Sequence, residues 1–209
     1  MTEFESLLKA RRSANKFIPG VEILDTELEE IFHLVKFAPS AFNLQHTHYV
    51  VVKEQPLKQK MYEAAHKQYK VQTASAVIIV LGKKNAYQDV GRIHEGLLAL
   101  GVMNQQEYDL TVRSVLDFYE GRGEAFQQEE AIRNASLSAM LFMLIAKEKG
   151  WDSCPMIGFD PEALREALHI PEDYIPALMI TLGKEDTSNQ RPRGYRKPTG
   201  EFVSYGTFK

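Results

Sequence analysis

Arg11-Arg12-Ser13 puts two guanidiniums and a hydroxyl on consecutive residues near the start of the chain. Read one way, cations closing a helix complement its dipole and the serine opens the next turn. Read the other way, they form an anion fork that grips phosphate oxygens. A second basic group, Arg191, Arg193, Arg196 and Lys197, crowds the segment RPRGYRKP. Prolines stiffen that segment, which is either a solvated loop or a preorganised phosphate clamp. Lys67 and Lys70, taken singly, read as surface lysines. Two neutral segments complete the set. PSAFNLQ at 39–45 offers turn chemistry, or Ser, Asn and Gln as hydrogen-bonding partners for a polar ring. CPMIGFD at 154–160 carries a glycine where backbone can come close to a flat ligand.

Other chemistries lack their residues. There is no GxxxxGK loop followed by Ser or Thr, no GxGxxG after a strand, no GxSxG and no HExxH. His94 in GRIHEG has no second ligand at helical spacing. His46 and His48 share one face of a predicted strand, but no carboxylate or cysteine is paired with them, so they read as half-buried histidines and no metal site is assigned. Cys154 is the one cysteine and reads as a buried structural thiol. Asn134-Ala-Ser136 matches a glycosylation triplet by chance, inside a long predicted helix.

The elements that must position these residues follow from periodicity. Helices are expected over 2–11, with Thr2 as N-cap, and over 25–37, capped by Asp25. A strand at 48–53 and a helix near 57–67 come next. AVIIVL at 76–81 reads as a strand buried on both faces. Helical stretches at 87–100 and 104–120 precede the longest helix, 126–149, which ends at Gly150. Its Ala131, Ala135 and Ala139 would let another helix approach closely. Leu137, Met140, Leu141, Leu144 and Ile145 add bulk, so the helix reads as buried centrally or against a second subunit. A helix over 161–168, a strand at 177–182 and a last strand at 202–208 close the order. Strands separated by helices favour a mixed α/β layer in a single domain spanning 1–209.

Composition sets the bounds. The chain has 209 residues, of which 44% are hydrophobic and 25% charged, with a net charge of −3. That excludes a disordered chain and gives no global field for nucleic acid or an anionic membrane. A single cysteine excludes a disulfide framework. The start MTEFESLLKARRS lacks the apolar core of a signal peptide, and no run is long enough to span a bilayer, so the cytoplasm is expected.

Taken in order, Arg11-Arg12-Ser13, PSAFNLQ, ASAVIIV at 74–80, PMIGFD at 155–160 and RKP at 196–198 resemble the flavin-dependent nitroreductase family. The likeness spans nearly the whole chain and is closest to small bacterial NAD(P)H nitroreductases. It implies an α+β three-layer α/β/α fold with a mainly antiparallel sheet, in an intertwined homodimer with FMN at the interface. By position, Arg11, Arg12 and Ser13 would hold the phosphate and ribityl chain, with Arg196 and, more weakly, Arg193 from the tail. Pro39, Ser40, Ala41 and Asn43 of the other subunit would line the isoalloxazine. Ile157 and Gly158 would present backbone toward N5, with Lys70 near N1 and O2 and Gln68 beside it. No catalytic acid, base or nucleophile is implied. NAD(P)H would reduce the flavin, and a nitroaromatic, quinone or similar small-molecule acceptor would reoxidise it. Other flavin reactions, such as reductive dehalogenation or enoate reduction, and a non-catalytic flavin store, remain open. Two departures are visible: His46-Thr47-His48 replaces the Pro-Trp that follows Gln45 in many members, and Asn15 replaces a common basic residue.

Overall fold

Residues 76–81 carry no polar side chain, and the strand that contains them, β2 (Ala76–Lys83), is buried on both faces. The rest of the fold is arranged to cover it. A computed structural model describes residues 2–190 and 192–208. In chain order these form α1 (Glu3–Ala10), α2 (Asp25–Val35), β1 (Thr47–Val52), α3 (Gln55–Ala64), α4 (Tyr69–Thr73) and β2. Then come α5 (Val90–Ala99), α6 (Gln105–Glu120), α7 (Gly123–Glu148), β3 (Asp152–Met156), α8 (Pro161–Leu168) and β4 (Tyr174–Gly183).

The strands lie in the order β1-β2-β4-β3, with every neighbouring pair antiparallel. Alternation along β2 divides the core. Ile78 and Val80 pack with Leu28, Ile31 and Val35 of α2 and with Ala135, Ala139 and Phe142 of α7. Val77 and Ile79 pack with Met61 of α3, Val71 of α4 and Leu164 of α8. Helices on both faces of an antiparallel sheet make the expected three layers. Pro176 in β4 lies beyond the stretch that pairs with β3, so its missing N–H leaves no rung unfilled there.

Several expectations change in detail. Thr2 caps α1 as expected, in a reciprocal box with Glu5. Asp25 instead is the first residue of α2. Leu24 takes the cap position in extended backbone, and the Glu27 carboxylate reaches back to its N–H at 3.0 Å. The alanines of α7 admit a strand as well as a helix: Ala135 and Ala139 pack with α2, and a Cβ on Gly82 of β2 would meet the Ala131 carbonyl oxygen at 2.4 Å. Ile132, Leu137 and Met140 on the same helix stay exposed in the single chain. Residues 202–208 form no strand. They follow a short 3-10 turn at Thr199–Glu201, find no partner edge, and leave Tyr205 and Phe208 fully in solvent.

A third apolar cluster sits apart from the sheet, where Leu44 meets Tyr87, Val90, Val115 and Tyr119 around α5 and α6. His46 lies at its margin and is 1% exposed, not half-buried, because it precedes β1 and turns inward. Burial without a carboxylate partner pushes its pKa down from 6.5 to about 4.

Two outcomes follow from this packing. Gly82→Ala should lower the unfolding free energy by about 1–3 kcal/mol through overpacking, seen as a lower urea midpoint at unchanged slope. An unaltered midpoint would mean that α7 can back away from β2. For His46, both states are neutral above pH 6.5, whereas between pH 6.5 and 4 only the unfolded chain binds the proton. Stability should therefore decline as the pH falls through that window, by at most about 3 kcal/mol. His46→Gln should flatten that part of the curve, and a curve of unchanged slope would contradict a neutral buried imidazole.

Candidate functional site

The basic residues from the two ends of the chain do meet. Arg11 is the C-cap of α1, where the chain leaves the helix in extended conformation. Ser13 then bridges in parallel to Ser153 on the outer edge of β3, and the Ala14 N–H bonds the Ser153 carbonyl at 3.0 Å. From the tail, the Arg193 guanidinium donates to the Lys9 carbonyl and, at 3.2 Å, to the Arg11 carbonyl, the last acceptors of α1. Arg196 donates to the Gly194 and Tyr195 carbonyls at 3.1 and 2.9 Å, which folds its side chain back over its own segment. Arg191 lies outside the described residues.

Arg11 carries the electrostatic signature of the group. Its pKa is lowered first by burial, then by repulsion from Arg193 and Arg196, while Cys154 acts in the opposite sense. Its Nη1 is buried with no hydrogen-bond partner among the described residues. A buried guanidinium N–H beside two more cations is the arrangement that an anion relieves. The residues present thus fit a phosphate.

Lys70 adjoins this group through Cys154. It lies in α4, and its ammonium donates to the Cys154 Sγ at 3.3 Å. Cys154 is buried, as expected, on the face of the sheet covered by α3, α4 and α8. Gln68, the N-cap of α4, donates from Nε2 to the Gly158 carbonyl at 3.0 Å. The Asp160 N–H bonds the Ala64 carbonyl at the end of α3, so the turn between β3 and α8 is fixed at its base. Above that base Ile157 is 80% exposed and Gly158 is open apart from the Gln68 amide, 3.3 Å from where a Cβ would lie. The result is an accessible patch of backbone flanked by a cation and an amide.

The segment at 39–45 is elsewhere. It leaves α2 and runs directly into β1, at the opposite edge of the sheet from β3. Three inter-strand spacings, about 14 Å, separate those edges. The Ala41 N–H bonds Asn134 Oδ1 of α7 at 2.8 Å, and the Gln45 N–H bonds Ser40 Oγ at 3.0 Å. Phe42, Asn43 and Gln45 all have positive φ, between 50° and 57°. Pro39 and Ser40 border a cavity of about 220 Å³ with Phe32, Tyr49 and Ser138. One chain therefore gathers Arg11, Arg12, Ser13, Gln68, Lys70, Ile157, Gly158, Arg193 and Arg196 around β3. It leaves Pro39, Ser40, Ala41 and Asn43 at the far edge.

Two participants escape a reading of the sequence. Asn134 looks like the first residue of an accidental glycosylation triplet, yet it holds the 39–45 segment; a lone amide amid the alanines of α7 was the available signal. Cys154 looks inert, yet it receives the Lys70 ammonium, a contact across 84 residues that no local pattern contains.

Residues 8–184 match the model of the Nitroreductase family. A Bacillus subtilis protein named "Putative NAD(P)H nitroreductase MhqN" is 58% identical over 205 residues, covering 98% of this chain and all of the relative. The "CLA biosynthesis enone reductase" of Lactiplantibacillus plantarum is 31% identical over 181 residues, 83% of this chain and 82% of its own. Among solved structures, "a putative nitroreductase in complex with FMN" from Exiguobacterium sibiricum has a TM-score of 0.88 at 26% identity, covering 98% of both chains. The match of sequence, sheet topology and covering helices has one meaning: the chain belongs to the nitroreductase family of oxidoreductases.

Proposed function

We propose that this oxidoreductase binds FMN and passes hydride from NAD(P)H, through the flavin, to a nitroaromatic, quinone or similar electrophilic acceptor, as a cytoplasmic homodimer. The observation that carries the reading is the buried, unpartnered Nη1 of Arg11 within a group of guanidiniums. Left unpaired, such a group costs about 1–3 kcal/mol or more, and a phosphate ester removes that cost.

Arg11, Arg12 and Ser13 hold the phosphate end, with Arg196 closing from the tail and Arg193 pinning the fork to α1. Bound FMN supplies the two-electron centre that connects nicotinamide and acceptor. Lys70 places a cation beside the ring, where it favours the negative charge that reduction brings. Gln68 fixes the Ile157–Gly158 turn, whose backbone faces the ring without an intervening side chain. The 39–45 segment cannot reach this group within one chain, so Pro39, Ser40, Ala41 and Asn43 come from a second copy. The FMN complex of the Exiguobacterium protein and the name of the Bacillus relative support the same reading. The chain needs no acid, base or nucleophile of its own, since the hydride moves between bound partners. A second reading, reduction of an activated carbon–carbon double bond, is favoured by the likeness to the Lactiplantibacillus enone reductase.

Purified protein should carry flavin absorbance, bleach anaerobically with NADH or NADPH, and recover on addition of a quinone or nitroaromatic. Recovery with an enone alone would favour the second reading, and flavin that never bleaches would leave only a store. Arg11→Ala combined with Arg196→Ala should weaken FMN binding by roughly 10²–10⁴-fold, at about 1.5–3 kcal/mol per charge-assisted bond. Full flavin occupancy in that double variant would reject the placement of the phosphate. A monomer by light scattering that still holds FMN would reject the shared site.

A further inference from the structure

A buried polar chain that hydride transfer does not use runs from the margin of the third apolar cluster to the 41–45 turn. It starts at His46, 1% exposed, whose Nε2 lies 3.4 Å from the Tyr119 hydroxyl. The Tyr119 O–H donates to Glu130 Oε2 at 3.3 Å, so the imidazole supplies its proton at Nε2. Its Nδ1 is then a bare acceptor, and it is buried with no partner among the described residues. Glu130, 7% exposed, is also paired with Arg133. Asn134, 3% exposed, donates from Nδ2 to the Glu130 carbonyl at 2.7 Å and to its carboxylate at 3.3 Å. Its Oδ1 accepts the Ala41 N–H at 2.8 Å.

The chain ends on backbone that needs holding. Phe42, Asn43 and Gln45 occupy the left-handed region, which side chains other than glycine rarely adopt. Anchors alternate with presented residues. Ala41 is tied to Asn134, and Leu44 and His46 are buried, while Phe42, Asn43 and Gln45 face solvent. The Phe42 ring meets Phe118 of α6 edge-on at 5.4 Å, which braces the same turn from the side.

We propose that His46, Tyr119, Glu130 and Asn134 form a strut that fixes the 41–45 turn and so holds Asn43 against the flavin of a second copy, making His46 and Asn134 positioning residues for the ring face at which the acceptor is reduced. This rests on the function proposed above.

The test compares the holoenzyme with Asn134→Leu and with Tyr119→Phe, which keeps the ring and removes only the hydroxyl. Hydrogen exchange reads the strut without reference to flavin, and the Ala41 amide should exchange about tenfold faster or more in Asn134→Leu. Acceptor KM should rise roughly tenfold, with a smaller change in the rate of reduction by NAD(P)H. Tyr119→Phe should shift both readouts in the same direction by less, and it decides the matter if the leucine variant does not fold. Asn43→Ala should cost less in the Asn134→Leu background than in the wild type, because the two act through one geometry. Unchanged exchange in a folded variant, or equal losses in both half-reactions, overturns the strut as a positioning device. Wild-type protein that holds no flavin or turns over no acceptor overturns the acceptor role together with the proposed function, and the exchange data then distinguish that failure from failure of the strut.

Discussion

A strand with apolar side chains on both faces needs two covers, and β2 obtains them from helices of different kinds. On one side α7 lies so close that Gly82 has no room for a Cβ against the Ala131 carbonyl. On the other, three shorter helices, α3, α4 and α8, share the task. The long helix gives a rigid surface on which α2 and the 39–45 segment rest. The short helices break the opposite layer into pieces, and α4 carries Lys70 in one of the gaps between them. The separation of the arginine group and the 39–45 segment to opposite edges of the sheet is thus a consequence of how β2 is buried.

The same arrangement accounts for the arginines. α1 ends with unsatisfied carbonyls near the edge of β3, and a tail approaching from beyond β4 meets them with a guanidinium. Arg193 thereby performs the helix-capping role that the sequence also allowed for Arg11 and Arg12. Arg11 is released from it and turned inward, with its Nη1 unpaired. Isolated, this group is a liability, because repulsion from Arg193 and Arg196 adds to desolvation in disfavouring its charge. Sites kept for a ligand commonly hold such unfavourable arrangements, and binding compensates for them.

How much of this was legible in the sequence depends on the range of the forces involved. Most elements were legible because periodicity and caps are local: the Thr2 box, the AVIIVL strand and the Gly150 stop all stand where the pattern puts them, whereas the short β3 and α4 were not assigned. Arg11 and Arg196 could be paired only through likeness to a family, since nothing in either segment refers to the other. Contacts such as Lys70 with Cys154, or Ala41 with Asn134, depend on which edge and face an element adopts, and side-chain types alone do not encode that. The 202–208 segment shows the converse error. Its alternation is a true strand pattern, but a strand also needs a partner, and 202–208 pairs with no strand among the described residues.

A flavin that exchanges hydride with many partners gains little selectivity from the chemistry itself, so selectivity has to be built into what surrounds the ring. The composition here suits that division of labour, with one thiol, no conspicuous triad and a small net charge. Neutral groups discriminate only when they are held in place, because a mobile amide adapts to any acceptor and rejects none. The left-handed residues around Asn43 are therefore informative. Such backbone persists only where surrounding contacts overdetermine it, and here the contacts are a buried asparagine, a buried glutamate, a tyrosine hydroxyl and a neutral histidine. A solvated loop needs none of these, whereas a segment held in one conformation does.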